Sequence, residues 1–527
     1  MPSRRNENLI LANSQDSLDF DTFSLTLSFV KLFPFLHIEK GEDMLFTQGK
    51  SSIPQFLSQR ASLTPKRAAL FFEGSCWSFE ELRQMSLLYA ERLTRCGVSR
   101  GQLVAVQMHN SAEMVFIIHG LMMIGAQTVL LNGRLTDHER EWQLQDAGAA
   151  FLITDKETES KASIITIASL KETEPQSFPV LTEMDLNETA TIMYTSGTTG
   201  KAKAVRQTYG NHVFSAFGSV LNLGLRDNDK WLCAMPLFHI SGLSILLRSA
   251  IYGSPVVLHR HFDPRLANQA ILTEGVTIMS VVSAMLSRML DDLGETDYPE
   301  SFHGMLLGGG PASMPLLERT MDKGIRVFQT YGMTETSSQI ATLAPEDALR
   351  KLGSSGKPLY PCEISIWKHD RESNPNEPGE IRVKGPNVTP GYLHGCGKEA
   401  FRDGWFYTGD LGYLDEEGYL YMLDRRSDLI ISGGENIYPA EVESILSAHP
   451  AVKEAGVTGI SDDDWGAVPA AALVLKEGAV FDQEEMILFC KERLAKYKIP
   501  KRYIILKELP RNASNKLVRK ELAKYFL

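Results

Sequence analysis

The sequence lacks the features that mark several classes of protein. Its six cysteines are far apart and none forms a Cys-x-x-Cys pair, which argues against a disulfide framework or a zinc site and fits a reducing cytoplasm. The longest apolar stretch, 114–131, is broken by His119, Gly120 and Gln127, so we predict a buried helix followed by a strand rather than membrane insertion. Basic residues (54) are fewer than acidic ones (65), and this net charge of −11 argues against nucleic acid as a partner.

What is present is the composition of a globular protein of several domains. The 527 residues are 43% hydrophobic and 23% charged. Short β-rich runs alternate with helical patterns, which predicts an α/β fold with parallel sheets. The strands are predicted at 103–108, 127–131, 151–154, 190–194, 231–235, 255–258, 277–282 and 305–307, and the helices at 211–223, 265–274 and 315–323.

The chain is expected to divide near residues 425–428. Residues 44–424 form a large N-terminal domain of layered sheets and helices, with a hairpin-rich stretch at 387–423 and a turn at 415–418. Residues 425–527 form a small α+β C-terminal domain of about 100 residues. Its predicted helices are 440–448 and 484–496, and its predicted strands are 451–458, 470–475 and 503–506.

Residues 1–43 differ from the rest of the chain. Lys31 and Pro34 interrupt their apolar stretch and no small-residue cleavage site follows, so a secretory signal is not expected. The residues just before Met44 can be encoded by a purine-rich ribosome-binding sequence. We hypothesise that Met44 is the natural start and that 1–43 is leader sequence; the alternative is a disordered extension.

A glycine- and threonine-rich loop carries the first chemical motif, Tyr-Thr-Ser-Gly-Thr-Thr-Gly-Lys at 194–201. Glycines let the backbone approach a phosphate closely, and the hydroxyls and lysine donate to its oxygens. The spacing is not that of a Walker A loop, because only two residues separate the glycines and Ala202 follows the lysine. The predicted phosphate-binding residues are Thr195, Ser196, Gly197, Thr198, Thr199, Gly200 and Lys201.

This loop resembles the signature of the adenylate-forming superfamily, which includes acyl- and aryl-CoA ligases, luciferases and peptide-synthetase adenylation domains. Further blocks of the family occur in order from about residue 46 to the C-terminus. The resemblance implies that Tyr331 packs on adenine, Thr334 contacts the α-phosphate and Glu335 holds Mg²⁺. It also implies that Asp410 binds the ribose and that Arg425 contacts the ribose or a phosphate. The adenine region includes Gly308, Gly309 and Gly310.

The resemblance extends to the second half-reaction. It implies a mobile C-terminal domain that turns about Ser427, where relatives carry Asp or Lys, and that brings Gly433 and Gly434 to the CoA tunnel. Lys516 takes the position of the catalytic lysine, although asparagine replaces the glycine that usually precedes it. His239 takes the position that lines the acyl pocket and gates CoA; taken alone, it would be read as a buried structural histidine.

The implied reaction is AMP-forming ligation of an acid to CoA. The carboxylate attacks the α-phosphorus of ATP, diphosphate leaves, and the CoA thiol then attacks the acyl-adenylate. The segments 336–343, 425–439 and 512–516 resemble bacterial 2-succinylbenzoate–CoA ligases of menaquinone synthesis. Polar contacts to that aromatic keto-diacid are assigned to Ser337, Ser338 and Gln339.

Several alternatives stay open at this point. A medium- or long-chain fatty acyl-CoA ligase comes second and another aryl-CoA ligase third, because the core motifs do not select the acid. A peptide-synthetase module would continue into a carrier domain, and a luciferase-type oxygenase would share the same motifs. A nucleotide-binding regulator without catalysis is the alternative of another class, although it would commonly lose Glu335 or Lys516. The oligomeric state is left open.

Overall fold

The computed structural model describes residues 51–195, 202–309, 312, 314–347, 350–425, 428–432, 435–462, 465–494, 496–512 and 517–526. From Ser52 onward they belong to one compact unit, Ser52–Leu527. The first part of this unit alternates strands and helices, as the sequence predicts. Its elements are β1 (Ser52–Pro54), α1 (Phe56–Leu63), β2 (Ala68–Phe72), β3 (Ser75–Ser78), α2 (Phe79–Arg95), β4 (Leu103–Gln107), α3 (Ala112–Ile124), β5 (Gln127–Leu130), α4 (Asp137–Ala147), β6 (Phe151–Thr154), β7 (Ser163–Thr166), α5 (Ile167–Glu172), β8 (Glu183–Asp185), β9 (Thr189–Thr195) and β10 (Lys203–Thr208).

The pattern continues to the end of a second large sheet. These elements are α6 (Tyr209–Leu223), β11 (Trp231–Cys233), α7 (Ile240–Tyr252), β12 (Val256–Leu258), α8 (Pro264–Thr273), β13 (Ile278–Val281), α9 (Ser283–Leu293), β14 (Gly304–Leu307), α10 (Met314–Asp322), β15 (Val327–Met333), β16 (Ser338–Thr342) and β17 (Lys357–Pro358). Each predicted strand and helix of this region is present with ends within a few residues of the prediction.

Two sheets organise this region. One has six strands in the order β10-β9-β5-β4-β6-β7, and the other has nine in the order β17-β16-β15-β14-β13-β11-β12-β2-β3. Their central pairs are parallel, which confirms the predicted α/β architecture. The outer pairs β9–β10, β2–β3 and β15–β16 are antiparallel hairpin connections that the alternation of strands and helices did not predict.

Helix α3 shows why the longest apolar stretch is compatible with a globular core. Every residue from Met114 to Ile124 is buried, and a Cβ on Gly120 would lie 2.9 Å from the backbone oxygen of Ser86 on α2. The missing side chain therefore lets two helices approach closely. The helix is followed by β5, as predicted. Among the described residues, we find no helix with the length and apolar character needed to cross a bilayer.

The rest of the unit consists of a third sheet and smaller C-terminal elements. The strands and helices are β18 (Glu363–Lys368), β19 (Arg371–Glu372), β20 (Gly379–Lys384), β21 (Phe401–Arg402), β22 (Trp405–Leu414), β23 (Leu420–Arg425), β24 (Ile430–Ser432), β25 (Glu435–Ile437), α11 (Pro439–Ser447), β26 (Val452–Asp462), β27 (Gly466–Leu475), α12 (Gln483–Lys491), β28 (Arg502–Ile505) and α13 (Arg519–Ala523). The third sheet has the order β19-β18-β20-β22-β21, and β23 pairs with β22.

Two local predictions in this part can be compared with the structure. The turn at 415–418 is confirmed, because the amide of Gly418 donates to the carbonyl of Asp415 at 2.9 Å. The helix predicted over 484–496 is too long, since α12 ends at Lys491. The amides of Arg493 and Leu494 both donate to the carbonyl of Cys490, so a tight turn replaces the last helical turns.

Candidate active site

The nucleotide side of the candidate site lies where parallel strands of the nine-stranded sheet end. Gly308 and Gly309 follow β14, and Tyr331 lies near the end of the adjacent β15. The Tyr331 hydroxyl donates to Oδ2 of Asp410 at 2.8 Å, and both residues are buried. The backbone of Asp410 is in turn paired with that of Arg425 across β22 and β23. The fold thus brings together residues that the sequence assigned to adenine and ribose from distant segments.

A hairpin flanks the predicted phosphate loop. Thr195 ends β9 and is paired in antiparallel register with Lys203, the first residue of β10. Further along β10, Gln207 donates from Nε2 to the backbone carbonyl of Thr334 at 2.9 Å. The strand that leaves the loop is therefore tied to the 331–335 motif through the Gln207 side chain.

Gln207 is itself held by a buried polar chain. The Thr191 hydroxyl donates to Oε1 of Gln207 at 2.8 Å and lies 2.9 Å from Nε2 of His212. Because a hydroxyl has only one hydrogen to donate, Thr191 accepts from an Nε2–H of His212. Burial lowers the pKa of His212 to about 3, so the ring is neutral and in the Nε2–H tautomer. This chain fixes the orientation of the Gln207 amide.

Glu335 is a buried carboxylate in the turn that follows β15. Its Oε1 accepts a hydrogen bond from the Tyr392 hydroxyl at 2.9 Å, and its backbone carbonyl accepts one from the amide of Thr389 at 2.7 Å. Burial and the Glu335 charge raise the pKa of Tyr392, which keeps it a donor. Within the described part of the chain, no three His, Cys, Asp or Glu side chains cluster as metal ligands. A single buried carboxylate is compatible with Mg²⁺, which is commonly held by one or two carboxylates together with phosphate oxygens and water, and the assignment of Glu335 to the metal stays a prediction.

The backbone that follows Glu335 adopts unusual geometry. Ser337 and Ser338 have positive φ angles of 50° and 110°. A Cβ on Gly332 would lie 1.8 Å from the Ser338 carbonyl oxygen, so only glycine permits this close pairing of β15 and β16. The hydroxyl of Ser337 is buried, and no described group hydrogen-bonds to it. A strained turn with a buried polar group is typical of a ligand site.

Arg248 is a functional candidate that sequence reasoning missed. It lies on α7, is only 2% exposed, and its Nη2 is 3.4 Å from Oγ of Ser338 and 3.5 Å from Oγ of Ser215. Burial lowers its pKa, but arginine remains protonated in proteins. No carboxylate among the described residues pairs with it. Its buried Nε has no hydrogen-bond partner there, and its guanidinium carbon lies 5.8 Å from the centroid of the Trp231 ring. A signal existed, since Arg248 is the only charged residue in the apolar sequence of α7.

Two other predicted residues make different contacts. His239 immediately precedes α7, and its ring is 4.6 Å from that of Phe238. Gln339 is buried and donates from Nε2 to the hydroxyl of Thr342 at 2.8 Å. Successive side chains of a strand point to opposite faces, which explains why Ser338 contacts Arg248 and Gln339 does not. The acyl-pocket assignment of these residues stays a prediction.

Several predicted site residues lie outside the described residues. The side chain of Arg425 is also outside them, although its backbone in β23 is described. The others are the extension 1–43 and Ser196, Gly197, Thr198, Thr199, Gly200, Lys201, Gly310, Ser427, Gly433, Gly434 and Lys516.

Comparison with known sequences decides the family. The family described as "AMP-binding enzyme" matches residues 57–393. The chain belongs to this family. The family described as "AMP-binding enzyme C-terminal domain" matches residues 441–516. Among curated AMP-binding enzymes, the chain is 55% identical to the 2-succinylbenzoate–CoA ligase of Geobacillus kaustophilus, over 90% of this chain and 98% of the relative.

Solved structures of AMP-binding enzymes also resemble this one. The o-succinylbenzoate CoA synthetase of Bacillus subtilis in complex with the acyl-adenylate intermediate OSB-AMP has a TM-score of 0.86 and 51% identity, covering 90% of this chain and 98% of that one. The same enzyme in complex with ATP and magnesium ion has a TM-score of 0.85 and 51% identity, covering 90% and 100%. The predicted superfamily, fold class and ligase activity are confirmed by these likenesses.

Proposed function

We propose that this AMP-binding enzyme joins 2-succinylbenzoate to CoA, with ATP converted to AMP and diphosphate, as a cytoplasmic step of menaquinone synthesis. The names of the relatives support this substrate. The observation that carries the proposal in this chain is the buried cation Arg248 beside Ser338.

A diacid explains why a cation is buried there. Burying a guanidinium without an anion is costly, and a carboxylate of the substrate would repay that cost with hydrogen bonds of fixed geometry. In 2-succinylbenzoate, one carboxylate is activated and the other remains to bind Arg248 and the Ser338 hydroxyl. A fatty acid or a simple benzoate has no second carboxylate, so a buried arginine would disfavour both.

The described residues supply binding and orientation for the first half-reaction. The Tyr331–Asp410 pair positions the nucleoside, and the Thr334 segment, held by Gln207, lies beside the strand that leaves the phosphate loop. With Arg248 holding the far carboxylate, the near carboxylate is aimed at the α-phosphorus. Positioning of two reactants in one site supplies much of the rate enhancement in such reactions.

The remaining roles follow from the family resemblance. Lys516 and the loop donors would stabilise the charge that develops on the α-phosphate. Glu335 would hold Mg²⁺, which when bound neutralises phosphate charge. The 425–527 domain would then turn about Ser427 and present Gly433 and Gly434 to CoA, with His239 at the acyl end of that path.

The test is thioester formation with a panel of acids. Purified protein is incubated with ATP, Mg²⁺ and CoA together with 2-succinylbenzoate, benzoate, cinnamate, octanoate or palmitate, and the acyl-CoA products are identified by mass spectrometry. We expect 2-succinylbenzoyl-CoA as the dominant product. A dominant fatty or simple aryl thioester would keep the ligase reaction and overturn the substrate, whereas binding of ATP without any thioester would support a regulator.

A further inference from the structure

We propose that Tyr392 is a positioning residue that orients the Glu335 carboxylate toward the divalent cation of bound ATP. This inference deepens the proposed function and rests on its assignment of Glu335 to the metal. Tyr392 was not among the residues selected from the sequence, and it lies 57 positions from its partner along the chain.

The contact joins two buried side chains. Tyr392 is 5% exposed and Glu335 is 9% exposed, and the distance from the phenol oxygen to Oε1 is 2.9 Å. A hydrogen bond to an ionised acceptor is stronger than one between neutral groups. With one oxygen held by the phenol, rotation of the carboxylate about its last torsion is restricted, and the direction of the other oxygen is set.

The ring of Tyr392 is fixed from several sides. Its backbone forms an antiparallel bridge with Val205 of β10. The ring packs edge-to-face on Phe401 at 6.1 Å, and Nζ of Lys203 lies 5.1 Å from its centroid. A Cβ on Gly397 would lie 2.8 Å from a carbon of the Tyr392 ring, so the backbone at Gly397 also confines the ring. A donor held this way can impose a geometry on its acceptor.

The same short segment supports both the carboxylate and the phosphate-loop strand. The Thr389 amide donates to the Glu335 carbonyl at 2.7 Å, while its hydroxyl donates to the Arg206 carbonyl on β10 at 2.5 Å. The Arg206 amide donates to the Gly391 carbonyl at 3.3 Å. Residues 389–392 therefore link β10, which begins just after the phosphate loop, to the predicted metal ligand. Tyr392 is the member of this segment that contacts the carboxylate itself.

Groups that orient a metal ligand affect metal affinity more than they affect the fold. Their loss typically weakens metal binding by about 10- to 100-fold. Tyr392→Phe removes the hydroxyl and keeps the ring, so its packing with Phe401 and Lys203 is preserved. Because the metal is held chiefly by nucleotide phosphates, we expect a value near the lower limit, about tenfold.

The experiment measures Mn²⁺ binding by electron paramagnetic resonance in the presence of α,β-methylene ATP, with the full chain. We expect Tyr392→Phe to weaken Mn²⁺ binding about tenfold while binding of the analogue without metal changes less than about twofold. Tyr413→Phe is the control, because this tyrosine lies on β22 and its ring stacks on that of Tyr421, away from the Tyr392–Glu335 hydrogen bond. The control should bind Mn²⁺ like the unaltered protein.

A double-mutant cycle separates positioning from general loosening of the structure. In a Glu335→Gln background, Tyr392→Phe should have no further effect on Mn²⁺ binding, because the group through which it acts is absent. Tyr392→Met, which keeps much of the buried volume, provides a second variant if the phenylalanine variant does not fold. An unchanged Mn²⁺ affinity would overturn the inference. A loss of affinity for the ATP analogue that is equally large with and without metal would also overturn it. The acid panel does not depend on this result, so failure of either proposal is recognised separately.

Discussion

Replacing Arg248 with methionine should separate stability from activity, because the cation is buried for a ligand and not for the fold. Loss of one partner of a buried ion pair costs about 3–5 kcal/mol. Each 1.4 kcal/mol is a factor of about ten, so kcat/KM for 2-succinylbenzoate should fall by about 10²- to 4 × 10³-fold. For 4-oxo-4-phenylbutanoate, which lacks the aromatic carboxylate, the loss should be less than about threefold, because this acid has no second carboxylate to pair with Arg248 in either protein.

The stability of the ligand-free variant should change in the opposite direction. Arg248 is 2% exposed and no described carboxylate pairs with it, so the ligand-free protein bears a desolvation cost there. Methionine fills similar space without charge. Replacing buried ion pairs with apolar residues of similar volume is often neutral or stabilises proteins by about 1–4 kcal/mol, and we expect a gain toward the lower end of that range here. Urea unfolding without ligand would measure the gain.

The assay is diphosphate release with each acid at saturating ATP and CoA. Arg60→Met is the matched control, because Arg60 donates to the carbonyls of Ala250 and Ile251 at the end of the same helix, away from Ser338. Arg60→Met should lower the free energy of unfolding and leave the ratio of kcat/KM for the two acids unchanged. Equal losses on both acids for Arg248→Met, or a fall in its stability, would refute the reasoning.

Three other changes test further parts of the account. Tyr331→Phe removes the 2.8 Å bond to Asp410 and should raise KM for ATP about tenfold without altering the preferred acid; an unchanged KM would contradict the nucleoside assignment. Lys516→Ala should abolish adenylation and largely spare thioester formation from supplied acyl-adenylate, whereas equal loss of both half-reactions would contradict domain rotation. Burial lowers the pKa of His119 to about 4, so acid stabilises the unfolded state as pH falls below the unfolded value of about 6.5. His119→Leu should therefore gain about 2 kcal/mol more at pH 5 than at pH 8 in urea unfolding, and an equal gain at both would be the contrary result.

Much of the fold was predictable because it depends on local pattern. Helix α3 and strand β5 follow from one apolar stretch with a glycine near its middle, and the parallel sheets follow from the alternation of strands and helices. The antiparallel outer pairs and the early end of α12 depend on hydrogen bonds that leave no periodic signal. Tertiary context decides such details.

The site was predictable to the extent that its residues stand in contiguous motifs. Tyr331 and Asp410 were assigned to one nucleoside, and the structure shows the bond between them across 79 positions. Gln207 and Tyr392 act through contacts with the backbone or carboxylate of other residues, and neither has a sequence pattern that reveals this. Arg248 had a weak signal, a single charge in an apolar helix, but its meaning required the knowledge that Ser338 lies opposite.

The central claim is that this chain activates a diacid as an adenylate. The most direct measurement is the exchange of labelled diphosphate into ATP, without CoA, in the presence of each acid. We predict rapid exchange with 2-succinylbenzoate and little with octanoate or benzoate, because adenylation is reversible and needs the second carboxylate. Exchange that is equal for all acids, or formation of ADP in place of exchange, would contradict the account.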